Sequence, residues 1–198
     1  RSVPDALRIF CEMVCSPDED VNESACQGIR YLAHARPELL QPIAECCIIN
    51  RMVAMLSINS TSLRRPIVHT LVLLSTGSEF HAQAVIDSGA LFHLPSLLHA
   101  GDQSLVKSAC CAIRNLCAGT PAQLRRVMET RSVTGVMILM SAPGALEPIK
   151  RDGLWVVKNV VEKGDLEIFE ELMEQHAVEA LACLLKDSDV DILHGTLL

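Results

Sequence analysis

The only tryptophan of the chain, Trp155, stands four residues before Asn159 in the stretch LWVVKNVVEKG. Four residues turn an α-helix by about 400°, so the two side chains would lie nearly one above the other on one helix face. Taken alone, Trp155 fits a core position, a plain surface position or a binding platform. The residues at equivalent positions elsewhere in the chain have to decide between them.

Cysteine is the other residue type here that could carry chemistry. Nine Cys include the adjacent pairs Cys46-Cys47 and Cys110-Cys111, with no C-x-x-C spacing. Neighbouring residues on a helix point about 100° apart, so neither pair can share a tetrahedral metal. A nucleophilic Cys111 assisted by His69 is conceivable, but the sequence offers no orienting acid or oxyanion donor. We therefore predict reduced core cysteines in a cytosolic or nuclear protein that is not an enzyme, with no metal and no cofactor.

The composition favours stacked helices and limits the class of partner. Hydrophobic residues make up 49% of the 198 residues and aromatic residues only 3%, so the apolar content is mainly aliphatic. The formal net charge of −7 argues against nucleic acid and fits a basic peptide or protein better. No apolar run reaches the roughly 18 residues of a membrane span, so we predict no membrane partner.

Two series of similar segments recur with one period. FCEMV, MVAML, LPSLL, VMILM and LACLL end at residues 14, 56, 98, 140 and 185, at spacings of 42, 42, 42 and 45. GIRYL, TLVLL, AIRNL and VVKNV have their fourth residues at 31, 73, 115 and 159, at spacings of 42, 42 and 44. A shared period in two independent series predicts a repeat protein.

Each repeat reads as three helical pieces. In the third repeat, Ser78 can cap the first piece and Gly89 can end it, while Asp102 caps the long third piece. Pro121 marks the start of the next first helix. The prediction is an all-α armadillo-repeat protein, a right-handed α-solenoid in which third helices line a concave binding face. We expect one domain, 1–198, with repeats at about 1–35 (partial), 36–77, 78–119, 120–164 and 165–198 (partial).

The acidic run 162–175, EKGDLEIFEELMEQ, is interpreted as the outer face of a first helix. Its apolar residues Leu166, Phe169 and Leu172/Met173 are predicted to face inward.

Three stretches resemble the importin-α family of nuclear-import adaptors. STGSEFHAQAVIDSGALFHLPSLL (75–98) is similar to the family's T-G-x-x-x-x-x-Q-x-V-I-D-x-G-A-L-x-x-x-P-S-L-L segment. ACCAIRNLCAG (109–119) resembles A-x-W-x-x-S-N-x-x-A-G, and LWVVKNVVEKG (154–164) resembles A-W-x-x-x-N-x-x-x-x-G. The order places the chain on about repeats five to eight and the start of the ninth, so we expect a piece of a longer protein.

The resemblance implies a peptide-binding ladder. In that family, Trp rings of neighbouring third helices hold the alkyl stems of Lys or Arg from a nuclear-localisation peptide, and Asn amides clamp the peptide backbone. Here the Trp positions read Gln27, His69, Cys111 and Trp155, and the Asn positions read Tyr31, Leu73, Asn115 and Asn159. Three residues before Trp155 lies an acid, Asp152, as the family requires, whereas Ser108 precedes Cys111. The predicted peptide-binding residues are Trp155, Asn159, Asn115, Asp152, Cys111 and His69.

The resemblance also implies a function and partners. We expect an adaptor that shuttles between cytoplasm and nucleus and binds basic nuclear-localisation peptides of cargo proteins. Importin-β and an export factor are implied as further partners, although the segments that would engage them are missing from this sequence. The alternative is a divergent armadillo scaffold that uses the same face for a different protein and is indifferent to Lys and Arg.

Overall fold

The computed structural model describes residues 3–186 and residue 192, and the side chains from residue 6 onward. Helices account for the regular structure of this part of the chain, which contains no strand. Two compact units divide the chain, Arg1–His93 and Leu94–Leu198. The all-α class predicted from the repeat period is thereby confirmed, while the repeat limits stay predictions.

The first unit is built on two long helices that pack side by side. These are α2 and α5, with α1 against α2 and α6 against both α3 and α5. Aliphatic side chains that are fully buried, such as Ile29, Ile67 and Leu71, fill the interior. Its helices are α1 (Val3–Met13), α2 (Glu19–Ala35), α3 (Leu40–Glu45), α4 (Ile48–Ala54), α5 (Thr61–Ser75) and α6 (Glu79–Asp87), followed by α7 (Ala90–Leu97), which crosses the boundary.

The second unit repeats that plan. Its long helices α8 and α11 pack on each other, and α10 packs on α11 and α13. Ile113, Val136 and Val160 are among its fully buried core residues. Its helices are α8 (Gln103–Cys117), α9 (Pro121–Met128), α10 (Ser132–Ser141), α11 (Glu147–Lys163), α12 (Leu166–Glu174) and α13 (Ala177–Leu184).

The predicted helix starts around α6, α8 and α9 are confirmed. Asp102 Oδ1 accepts a hydrogen bond from the backbone N–H of Ser104 at 2.9 Å, which satisfies an orphan donor of α8. Pro121 is the first residue of α9, behind Thr120 as the N-cap. Ser78 is the N-cap of α6, and Gly89 follows that helix with φ of +82°, a value that favours glycine.

The predicted inner face of α12 is wrong in two positions. Ile168 and Leu172, four residues apart, are the buried residues of this helix, whereas Leu166 and Phe169 are exposed. Asp165 accepts a hydrogen bond from the N–H of Ile168 at 3.0 Å and fixes where the helix begins. With 100° per residue, Leu166 lies about 200° around the helix from Ile168, so both cannot face the core.

No single helix of the described chain is long and apolar enough to cross a membrane. One pair, Pro37–Glu45 and Ile48–Ser57, passes by length and composition together but is bent by 80° at its break.

Truncating a core residue of the second unit should destabilise the protein. Ile113 is fully buried on α8, so Ile113→Ala should lower the free energy of unfolding by about 2–5 kcal/mol through lost burial and a cavity. Ile138→Ala is the matched control, because Ile138 is exposed on α10 and should change stability little. Chemical denaturation followed by circular dichroism measures both. Equal losses for the two variants would contradict the packing described for α8.

Candidate functional site

Helix α8 offers one side to the core and a second side to a potential ligand. Its buried positions recur every three or four residues, at Leu105, Val106, Ala109, Cys110, Ala112, Ile113, Leu116 and Cys117. Cys111, Arg114 and Asn115 are left half-buried on the other side. These are two of the predicted site residues together with one that was not predicted.

Helix α11 places three of the predicted residues on one side. Asp152, Trp155 and Asn159 follow the i, i+3, i+7 spacing of one helix face. Gly153 lets α11 approach α10 closely, since a Cβ there would collide with the side chain of Met140. We call the surface formed by Cys111, Asn115, Asp152, Trp155 and Asn159 the α8–α11 face.

A guanidinium from the chain itself lies in the α8–α11 face. Arg114 Nη1 donates to Asp152 Oδ1 at 2.6 Å, which links α8 to α11. Arg114 Nη2 and Nε donate to Asn115 Oδ1 at 3.0 and 3.2 Å. Arg114 Nη2 also lies 3.3 Å from Cys111 Sγ. One cation therefore contacts three of the five residues of the face.

Asp152 is not a solvated carboxylate at the start of α11. It is buried, and its side chain is only 11% exposed. Burial raises the pKa of Asp152 above its ordinary value, and the Arg114 guanidinium opposes that rise. The carboxylate is held ready for a cation, and in this structure Arg114 is that cation.

Trp155 and Asn159 form the open end of the face. Trp155 is 51% exposed, and Lys158 Nζ lies 4.9 Å from its ring centroid, within the range of a cation–π contact. Asn159 is 7% exposed, and no side-chain hydrogen bond joins it to another residue in the described part of the chain. The exposure of Trp155 excludes a core role for its ring. The side-chain amide of Asn159 has donors and an acceptor that a ligand could pair with.

The other positions of the predicted ladder lie in the first unit. His69 and Leu73 are half-buried on α5, and Gln27 is half-buried on α2. Tyr31 is exposed, with the Arg30 guanidinium carbon 4.1 Å from its ring centroid. The predicted peptide-binding role of His69 stays a prediction.

The alternative of a nucleophilic Cys111 gains nothing from the structure. Burial raises the pKa of the Cys111 thiol, and the neighbouring Arg114 only partly opposes this. A thiol that ionises less readily is a weaker nucleophile. No group of three His, Cys, Asp or Glu residues within the described residues is arranged to hold a metal ion.

Arg114 is a residue at the α8–α11 face that the sequence analysis did not predict. The signal was present, because the residue before the Asn position is basic at Arg30, Arg114 and Lys158. The family pattern matched by ACCAIRNLCAG has Ser where Arg114 stands.

Comparison with known proteins identifies the repeat and its relatives. A family model described as Armadillo/beta-catenin-like repeat matches residues 79–118, which contain α6, α7 and α8. Importin subunit alpha-1a of Oryza sativa subsp. japonica is 32% identical over 125 residues, covering 63% of this chain and 24% of the relative. Importin subunit alpha-8 of Arabidopsis thaliana is 26% identical over 188 residues, covering 94% of this chain and 42% of the relative.

Solved structures confirm the fold. A designed armadillo repeat protein in complex with the peptide (KR)4 aligns with a TM-score of 0.84 at 23% identity, over 95% of this chain and 77% of that one. A computationally designed armadillo repeat protein for modular peptide recognition aligns with a TM-score of 0.87 at 23% identity, over 95% and 78%.

Fold and repeat together define an armadillo-repeat protein. Its sequence relatives are importin-α subunits, which the chain resembles at 26–32% identity. The matched part of the chain covers 24% and 42% of the length of the two relatives described above. These relatives and structural neighbours are non-enzymatic, in agreement with the prediction that the chain is not an enzyme.

Thiol labelling should separate the cysteines into two groups. Burial raises the pKa of Cys110 and Cys117 to about 12 each, so at pH 8 only about one molecule in ten thousand carries either thiolate. Iodoacetamide should modify the exposed Cys47 and Cys183 in the native chain and reach the buried pair only after denaturation. Peptide mapping by mass spectrometry reads each site. Labelling of Cys110 as fast as Cys47 in the native protein would contradict the packing of α8.

Proposed function

We propose that the chain is an import adaptor of the importin-α type that binds a basic nuclear-localisation peptide in extended form on the α8–α11 face. The observation that carries the proposal is the pair Trp155–Asn159: an exposed ring beside an amide that is nearly buried and has no partner among the described residues. The proposal rests also on the relatives, which are importin-α subunits, and on the armadillo neighbour solved with a (KR)4 peptide.

Each residue of the pair suits one part of such a peptide. The ring of Trp155 already has Lys158 at cation–π distance, so a Lys or Arg stem from a peptide finds the same attraction there. A buried amide gains stability when its donors and acceptor are paired. The backbone N–H and C=O of an extended peptide supply both partners to Asn159.

Transport is the cellular role that follows from this proposal. The chain would carry cargo between cytoplasm and nucleus, and importin-β and an export factor would be its transport partners. The resemblance to the importin-α family supports these two partners.

A second function is favoured by one specific contact. Arg114 forms an ion pair with the carboxylate of Asp152. In the first proposal, that carboxylate selects the positive charge of the peptide. A scaffold that binds a partner without Lys or Arg on the same face would have no use for that carboxylate. This second candidate predicts binding that is indifferent to the basic residues of the ligand.

Titration with a Lys/Arg-rich nuclear-localisation peptide tests the first proposal. The fluorescence of Trp155, the one Trp of the sequence, should change saturably with the basic peptide and stay constant with an Ala-substituted control. Asn159→Ala should weaken binding about tenfold, since two hydrogen bonds to the peptide backbone are lost. Asn50→Ala, at an exposed Asn of α4, is the matched control and should leave binding unchanged.

No change in Trp155 fluorescence up to millimolar peptide, or equal binding of the Ala-substituted control, would reject the import adaptor in favour of the scaffold.

A further inference from the structure

The contacts of Arg114 describe a complete binding site for a guanidinium group. Asp152 supplies a carboxylate oxygen, Asn115 an amide oxygen and Cys111 a thiol, and all three nitrogens of the Arg114 guanidinium are engaged. A planar guanidinium with five fixed donors matches such divergent acceptors, whereas a Lys ammonium is a compact charge that cannot reach all of them together.

The acceptors of this site are residues that the proposed function assigns to the peptide. Cys111, Asn115 and Asp152 lie on the α8–α11 face beside Trp155 and Asn159. A peptide cation that approaches Asp152 therefore meets a position that is already filled. Any ligand arginine has to take the place of Arg114.

The two charged partners differ in burial, and this difference indicates which of them can leave the contact. The side chain of Asp152 is 11% exposed and that of Arg114 is 31% exposed. The long Arg114 side chain lies on the open side and can turn its head into water, while Asp152 stays in place. Once Arg114 leaves, a buried carboxylate without a partner remains, and this state strongly favours the arrival of another cation.

Cations of the chain also lie over two of its aromatic rings. Lys158 covers Trp155 at 4.9 Å, and in the first unit Arg30 covers Tyr31 at 4.1 Å. In each case the basic residue stands immediately before the Asn position of its repeat. In the second unit, Lys158 thus lies over the ring at which the ladder would hold a Lys or Arg of the peptide.

We propose that Cys111, Asn115 and Asp152 form an arginine-binding subsite, and that Arg114 is an internal ligand which a peptide arginine must displace. Arg114 then lowers the affinity of this face for a peptide arginine, while the three acceptors set its preference for Arg over Lys. The inference rests on the proposed peptide-binding function, which it deepens.

Removing the internal ligand should increase affinity for arginine. We would titrate the wild type and Arg114→Gln with octaarginine and with octalysine, using isothermal calorimetry and the fluorescence of Trp155. Arg114→Gln should bind octaarginine about tenfold more tightly than the wild type does, because the new guanidinium makes charge-assisted hydrogen bonds without displacing another. The gain for octalysine should be clearly smaller.

Three further variants make the result specific. Arg114→Gln combined with Asp152→Asn should lose the gain, since no buried carboxylate is left to attract the ligand. Arg125→Gln removes the exposed ion pairs of α9 with Asp165 and Glu167 and should change neither affinity. Arg114→Lys keeps the positive charge and should gain less than Arg114→Gln. Circular dichroism of each variant establishes that it folds.

The outcomes separate this inference from the proposed function. Equal affinities of wild type and Arg114→Gln for octaarginine would overturn the internal ligand while leaving an import adaptor intact. Weaker binding by Arg114→Gln would also overturn it, because Arg114 would then assist the ligand. Binding by Arg114→Gln but not by the wild type would support the inference and reject basic-peptide binding by the natural chain. No binding by either protein would reject both.

Discussion

Burial of one side of each long helix against the next is the constraint on which the rest depends. A single helix cannot bury its apolar stripe alone, so α8 needs α11, and α2 needs α5. Ile113 on α8 and Val160 on α11 face the core. Because of the helical period, Asn115 on α8 and Trp155 on α11 then lie on the outer side of their helices. The candidate site is therefore a by-product of core packing, and its chemistry can vary while the core stays the same.

Much of the fold can be predicted from the sequence because the same helix pattern recurs in several repeats. A helix that is ambiguous in one repeat can be assigned from its equivalents in the others. A 42-residue spacing shared by two series of segments indicates a repeat of armadillo length, and residues such as Asp102 and Pro121 mark helix starts by their hydrogen-bonding needs. The inner face of α12 was predicted wrongly because apolar residues lie on more than one side of this helix. Ile168 and Leu172 pack inward there, and only the neighbouring helices decide between them and Phe169.

The sequence predicts which residues form the site, but it does not predict that Arg114 pairs with Asp152. The repeat pattern and the family likeness identify Trp155, Asn159 and Asp152 as residues of one face, and the structure brings them onto one side of α11. Occupancy of Asp152 by Arg114 is different, because the two residues are 38 positions apart in the sequence and meet only through the packing of α8 on α11. Spacing within a helix predicts neighbours on that helix, whereas contacts between helices need the tertiary structure.

The unequal burial of Arg114 and Asp152 makes the order in which the two residues are substituted matter during evolution. A lineage that loses Arg114 first must carry an unpaired carboxylate in a mostly buried place, which is costly. A lineage that loses Asp152 first keeps a half-exposed guanidinium that water can solvate. Substitutions that dismantle this pair are thus tolerated more easily in one order than in the other. Ancestral sequences that carry an acid at 152 without a base at 114 would have kept the carboxylate for a bound partner.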